Sequence, residues 1–210
     1  FKINSITIWI SRAGTVQNSS SSTTSQFYDN FTNLIDGNYT LVANASDSVN
    51  INNTENRTIV IDNVAPNLGF ETPTLANGTY SRNSIVVNVS FNDSTSGINE
   101  VNLSVFNVTH SMINSTLGRN RQGSFATNFS NLVDGTYYFN ATINDYALNR
   151  NITITHNITL DSTFPNISFQ APTPASGTTI FTTSFIANVS VNETNLANVT
   201  IWLYNRDGVL

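Results

Sequence analysis

The sequence predicts an all-β protein of tandem sandwich domains, and three observations carry that expectation. Apolar residues recur with a period of two rather than 3.6, as in strands with one face buried and one wet. Short segments return after 95 to 99 residues, which is the length of one sandwich domain and too long for a solenoid repeat. The 13 Phe and 7 Tyr can furnish cores, while charged residues make up only 10% of the 210 and Asn, Ser and Thr stand in for them. An ordinary soluble protein has about 25% charge.

Taken in order, Ser5-Ile-Thr-Ile-Trp-Ile10 is the first expected strand, with Ile6, Ile8 and Ile10 on one face. It returns at Val101–Val105 and again at Val199-Thr-Ile-Trp-Leu203, so strands are expected at both places. Phe31-Thr-Asn-Leu-Ile-Asp-Gly-Asn-Tyr39 returns as Phe129-Ser-Asn-Leu-Val-Asp-Gly-Thr-Tyr137, an Asp-Gly turn feeding a strand that opens on Tyr. Asp62-Asn-Val-Ala-Pro-Asn67 returns as Asp161-Ser-Thr-Phe-Pro-Asn166, and Pro73-Thr-Leu-Ala-Asn-Gly78 as Pro172-Thr-Pro-Ala-Ser-Gly177. Each Asp followed by Pro reads as a short, stiff linker. The expected domains are therefore 1–62, the later part of one repeat; 63–161, a whole repeat; and 162–210, the earlier part of another.

Within the whole repeat, Ile85, Val87, Val89 and Phe91 alternate with Val86, Asn88, Ser90 and Asn92. Val101, Leu103 and Val105 alternate with Asn102 and Ser104, and Tyr137, Phe139, Ala141 and Ile143 with Tyr138, Asn140, Thr142 and Asn144. The last strand is expected to turn Ile152, Ile154, Ile158 and Leu160 inward, with Asn151, Thr153, Asn157 and Thr159 outward.

Leu34-Ile-Asp-Gly-Asn-Tyr39 and Leu132-Val-Asp-Gly-Thr-Tyr137 resemble the tyrosine corner of immunoglobulin-type sandwiches, in which the hydroxyl bonds backbone upstream. Two residues on, where antibody domains carry a cysteine, stand Leu41 and Phe139; the disulfide is gone and the core position stays apolar. Asp47 and Asp145 sit in the turn before the last strand. Together these features resemble the tandem immunoglobulin-like repeats of bacterial and archaeal surface proteins, over nearly the whole chain. That resemblance implies a disulfide-free Ig-like sandwich with an extracellular, largely mechanical role.

Several function classes drop out. Lys2 is the only lysine and net charge is −5, so no basic patch exists for a nucleic-acid backbone. No stretch approaches ~18 consecutive apolar residues, so no membrane span is expected. With no cysteine there are no disulfides, thiolate metal sites or cysteine nucleophiles. Catalysis finds no support: His110 and His156 have no counterparts in the other repeats, and no phosphate loop or paired catalytic carboxylates appear. The central repeat has no lysine for a Lys–Asn crosslink. The sequence opens at Phe1 without a signal peptide and both ends fall inside expected strands, so it reads as a window of something longer.

Twenty Asn-x-Ser/Thr sequons are the candidate modification sites: Asn18, Asn30, Asn38, Asn44, Asn52, Asn56, Asn77, Asn88, Asn92, Asn102, Asn107, Asn114, Asn128, Asn140, Asn151, Asn157, Asn166, Asn188, Asn192 and Asn198. An alternating strand that uses Asn, Ser and Thr as its polar residues writes this tripeptide automatically. Against that, Asn is a poor strand former, and the strand sequons of the central repeat all fall on outward parity. Biased base composition would enrich lysine too, and there is one. Glycans would also supply solubility that charge does not.

Trp9 and Trp202 take equivalent places with parity opposite to the isoleucines, beside Tyr204, and are candidate interface aromatics. Asp47, Asp62, Asp145 and Asp161 recur near domain ends, where Ca²⁺ could bind; two or three acids per end and the turn-capping habit of Asp favour no metal and no cofactor beyond N-linked glycans. The expected function is an N-glycosylated extracellular stalk or filament on an archaeal cell surface. Its partners would be neighbouring repeats or other copies, head to tail. An adhesin or carbohydrate-binding module using the aromatics is the alternative, and a spacer inside a large secreted enzyme a third reading.

Overall fold

The computed structural model describes residues 2–119, 123–205 and 207–208, and every regular element among them is a strand. Strands β1 (Ser5–Arg12), β2 (Thr15–Ser22), β3 (Gly37–Ser46), β4 (Ile51–Asn53) and β5 (Arg57–Ile61) form one sheet in the order β2-β1-β3-β4, with β5 also on β3. Then follow β6 (Asn67–Phe70), β7 (Thr79–Ser81), β8 (Ser84–Asn92), β9 (Ile98–Phe106), β10 (Met112–Arg119), β11 (Gly123–Ser130), β12 (Gly135–Asp145), β13 (Arg150–Ile152) and β14 (His156–Leu160). These make two sheets, β11-β8-β6 and β10-β9-β12-β14-β7, with β13 on β12. Strands β15 (Asn166–Gln170) and β16 (Asn188–Asn192) pair antiparallel.

The core lies between the two sheets of residues 67–160. Ile85, Val87 and Val89 of β8 meet Val101, Leu103 and Val105 of β9 and Phe139, Ala141 and Ile143 of β12, all fully buried. Each of the Val, Leu, Ile and Phe side chains among them contributes about 1.5–3 kcal/mol. Phe70 stands edge-on to Phe139, with ring centroids 5.5 Å apart. His156 closes that corner, its ring 4.6 Å from that of Phe70 and 5.5 Å from that of Phe139. The topology is that of an Ig-like β-sandwich, without cysteine.

Both tyrosine corners are present. The Tyr39 hydroxyl donates to the Ile35 carbonyl at 2.7 Å and that of Tyr137 to the Val133 carbonyl at 2.8 Å. The glycine that opens each of these strands has φ +147°, a conformation that side chains rarely adopt, which is why both begin with Asp-Gly across their first boundary. Register repeats as well: Ile10 faces Leu41 and Ile8 faces Ala43 in the first sheet, as Val105 faces Phe139 and Leu103 faces Ala141 in the central one. The first sheet has no second layer over it among the described residues, so Ile6, Ile8 and Leu41 remain half-exposed while Ile10 and Tyr39 are buried.

Three expectations are corrected. Residues 199–203 form no strand; a strand needs a ladder partner, and the segment has none among the described residues, leaving Ile201, Trp202 and Leu203 exposed. Ile152 and Ile154 point outward and Thr153 inward, because the chain breaks between β13 and β14 and Thr153 takes over the bonding to β12. Its amide donates to the Ala141 carbonyl at 2.9 Å and its Oγ1 accepts from the Ala141 amide at 2.9 Å. Thr54 does the same to Ala43 in the first sheet. Ser104, read as outward, is buried, because β9 lies between two strands and its cross-strand neighbours Ser115 and Asn140 shade it.

Candidate functional site: surface asparagines and the carboxylate junction

The alternation that buries Val and Ile on one face of each strand pushes Asn onto the other. None of the twenty sequon asparagines is buried: Asn44, Asn88, Asn102, Asn107, Asn140, Asn151 and Asn157 are half-exposed and the other thirteen are open to solvent. Their side-chain nitrogens, where a sugar would attach, differ. Nδ2 of Asn88 donates to the Thr72 carbonyl at 2.7 Å, Nδ2 of Asn188 to the Ala171 carbonyl at 2.8 Å, and Nδ2 of Asn151 to the Pro66 carbonyl at 2.9 Å. Asn140 makes a longer contact, 3.3 Å, with Thr155 Oγ1. Asn77, Asn92 and Asn107 use Oδ1 instead, accepting from the Asn157 amide, Asn67 Nδ2 and the turn at 109–111 respectively. Some sequon hydroxyls are also engaged: Thr54 and Thr153 are the third residues of the Asn52 and Asn151 sequons.

The aromatics separate. Trp9 lies on β1 opposite Val42 and Ser19 and is half-covered. Trp202 and Tyr204 are 62% and 54% exposed, outside any strand. Phe169, Phe185, Ile201 and Trp202 line a cavity of about 800 Å³ in residues 169–203.

The recurring acids hold the linkers. Asp134, from the Asp-Gly turn, accepts from the Ser162 amide at 2.9 Å and from the hydroxyls of Ser162 and Thr163 at 3.0 and 3.1 Å. Asp36 likewise takes the amide and Nδ2 of Asn63. Ser162's hydroxyl and amide hold the Asp134 carboxyl below its ordinary value, and the amides of Val49 and Asn50 do the same for Asp47. Burial works to raise the Asp62 carboxyl, but hydrogen bonding from Ser96 and the Val64 amide holds it down on balance.

Asp62, Asp93 and Asp145 bring one carboxylate oxygen each within 4.8 Å of one another, where the linker meets the β8–β9 and β12–β13 turns. Three oxygens are half of the smallest Ca²⁺ shell. Backbone amides already occupy them: Val64 and Ser96 on Asp62, Thr95 and Gly97 on Asp93, Asn149 on Asp145. The arrangement ties the linker to the sandwich, helped by Asn149 Nδ2 on the Asp62 carbonyl at 3.1 Å. Sequence reasoning singled out Asp62 and Asp145 and missed Asp93, whose counterpart is Glu193, so identity did not repeat although the sequons Asn92-Asp-Ser94 and Asn192-Glu-Thr194 align. Asp161 sits away from this cluster and accepts from Asn195 Nδ2 at 2.6 Å.

No known protein family and no curated protein matches this sequence. Among solved structures, the chain is similar to fibronectin(III)-like modules of Clostridium thermocellum CbhA, at 17% identity over 74% of this chain and 77% of that one, with a TM-score of 0.39. It is also similar to dimeric latent PorU of Porphyromonas gingivalis, at 13% identity over 75% of this chain but only 16% of that one, with a TM-score of 0.36.

Proposed function

We propose that the chain is a structural part of an extracellular, N-glycosylated archaeal stalk or filament of tandem Ig-like domains, with neighbouring repeats or other copies arranged head to tail. The observation that carries this reading is twenty sequons, none buried, on a chain with 10% charge. Such a surface gains from sugars the hydration that charge normally supplies. Linkers fixed by Asp36, Asp62 and Asp134 suit a stalk, because a tether bonded on both sides resists bending. The test is intact mass of the protein from its source, with negative-stain microscopy. Mass well above 22.9 kDa per 210 residues and a regular axial repeat support the reading; an unmodified peptide map removes its glycosylated part.

The exposed Trp202 and Tyr204 favour a second reading, an adhesin or carbohydrate-binding module. Retention on polysaccharide that is lost in Trp202→Ala selects it; equal retention of both proteins rejects it.

A further inference from the structure

We infer that the sequons are of two kinds: Asn88 and Asn188 are structural latches that stay unmodified, and Asn107 is a sugar acceptor. This deepens the glycosylated reading above and rests on it for the acceptor half only.

At Asn88 both the backbone and the side chain are taken by one segment. Its amide donates to Thr74 Oγ1 at 2.7 Å, and its carbonyl accepts from Thr74 Oγ1 at 2.8 Å and from the Glu71 amide at 2.9 Å. Its Nδ2 bonds the Thr72 carbonyl at 2.7 Å. The set recurs one repeat later, with Thr173 Oγ1 at 2.6 and 2.9 Å and the Ala171 carbonyl at 2.8 Å. Recurrence of the same atoms on different neighbouring residues marks a built feature, one that holds the 71–74 and 171–173 segments onto β8 and β16. Asn is used because one short side chain must reach a carbonyl beside its own backbone.

Asn107 is arranged the opposite way. It opens the β9–β10 turn, and its Oδ1 accepts three bonds, from the Thr109 amide at 3.0 Å, Thr109 Oγ1 at 2.8 Å and the Ser111 amide at 2.9 Å. Nδ2 then has no partner among the described residues, in a turn whose Val108 is 63% exposed. Three donors on the amide oxygen draw charge from the nitrogen and make its protons easier to lose. Transfer forms an Nδ2–C1 bond, breaks the C1–O bond to the phosphate carrier of a lipid-linked oligosaccharide, expels that phosphate, and releases one Nδ2 proton to solvent. A nitrogen 2.7 Å from a carbonyl oxygen has no room on that side for the incoming carbon.

The test is site-by-site occupancy by mass spectrometry on the full chain secreted from an N-glycosylating archaeal host. Urea unfolding of unglycosylated chain made in a host without the pathway accompanies it. Expected is Asn107 occupied and Asn88 and Asn188 bare, with Asn88→Gln lowering the urea midpoint of the central domain and Asn128→Gln, at an exposed sequon on β11, leaving it in place. Asn88 or Asn188 occupied to the level of Asn107 overturns the inference. If no sequon is occupied, the glycosylated reading and the acceptor role of Asn107 fall together, and the latch is judged by unfolding alone. Equal midpoints for the two variants overturn the latch.

Discussion

A tyrosine corner turns on one bond. The Tyr137 ring is buried, while its hydroxyl reaches the carbonyl of Val133 in an exposed turn. Tyr137→Phe leaves the ring packing intact and frees a carbonyl that water can reach, so the expected loss is about 1 kcal/mol. Asn140→Thr, on the outward face with a 3.3 Å contact, changes stability by under about 0.5 kcal/mol. Urea midpoints of the two variants check the ranking. The Asp-Gly-x-Tyr motif was legible because turn and strand chemistry sit side by side in it; the clamp that its Asp makes on the next linker was not, since 28 residues separate Asp134 from Ser162. That clamp is pH-dependent. The folded carboxyl lies below its unfolded value of about 3.9, so the clamp is complete above that pH and is lost as pH falls through the folded value. Protection of the Ser162 amide against hydrogen exchange, corrected for intrinsic rate, should therefore hold from pH 7 to 5 and collapse at lower pH. In Asp134→Ala it should be weak throughout.

At the scale of elements, period two located most of the strands and their buried faces but failed where side chains replace the ladder. Ile152 and Ile154 look inward by count, yet the extra residues between β13 and β14 shift the phase, and the inward place goes to a threonine. The signal was available in the recurrence of Thr54 as Thr153, each third in an Asn-x-Thr, but a glycosylation motif hides a structural one there. Thr153→Val keeps the shape and removes the acceptor for the Ala141 amide, which is fully buried. It should cost about 1–3 kcal/mol, the price of an unmet buried donor. Ile152→Thr should cost less than about 0.5 kcal/mol, the reverse of what alternation alone predicts. Thermal or urea unfolding of the pair decides between the two phases. The segment at 199–203 failed differently: its sequence has a strand's pattern, but pairing is a property of two segments, and a pattern in one does not supply the other.

At the scale of the whole molecule, apolar burial is unevenly shared. Fifteen buried residues of the large cluster all lie between Ile85 and Leu160, while Phe169, Phe181, Phe185 and Trp202 stand open. Among the described residues only 67–160 have two facing sheets, and burial between layers is what offsets chain entropy. We therefore expect residues 62–161 to fold by themselves. Starting at 62 matters, because Asp62 takes the Ser96 amide at 3.0 Å and caps the turn before β9. Starting at 63 removes that carboxylate and leaves the Ser96 amide without its acceptor. The 62–161 fragment should unfold cooperatively, at a urea midpoint close to that of the main transition of the 210-residue chain. Limited proteolysis of the full chain should cut first in 23–33 and 178–187, which lack strands, and leave a resistant band spanning residues 34–177, which contains the 62–161 fragment. Early cleavage inside 85–160, or a fragment that stays unfolded, would mean that the flanking strands stabilise the central sandwich rather than hang from it.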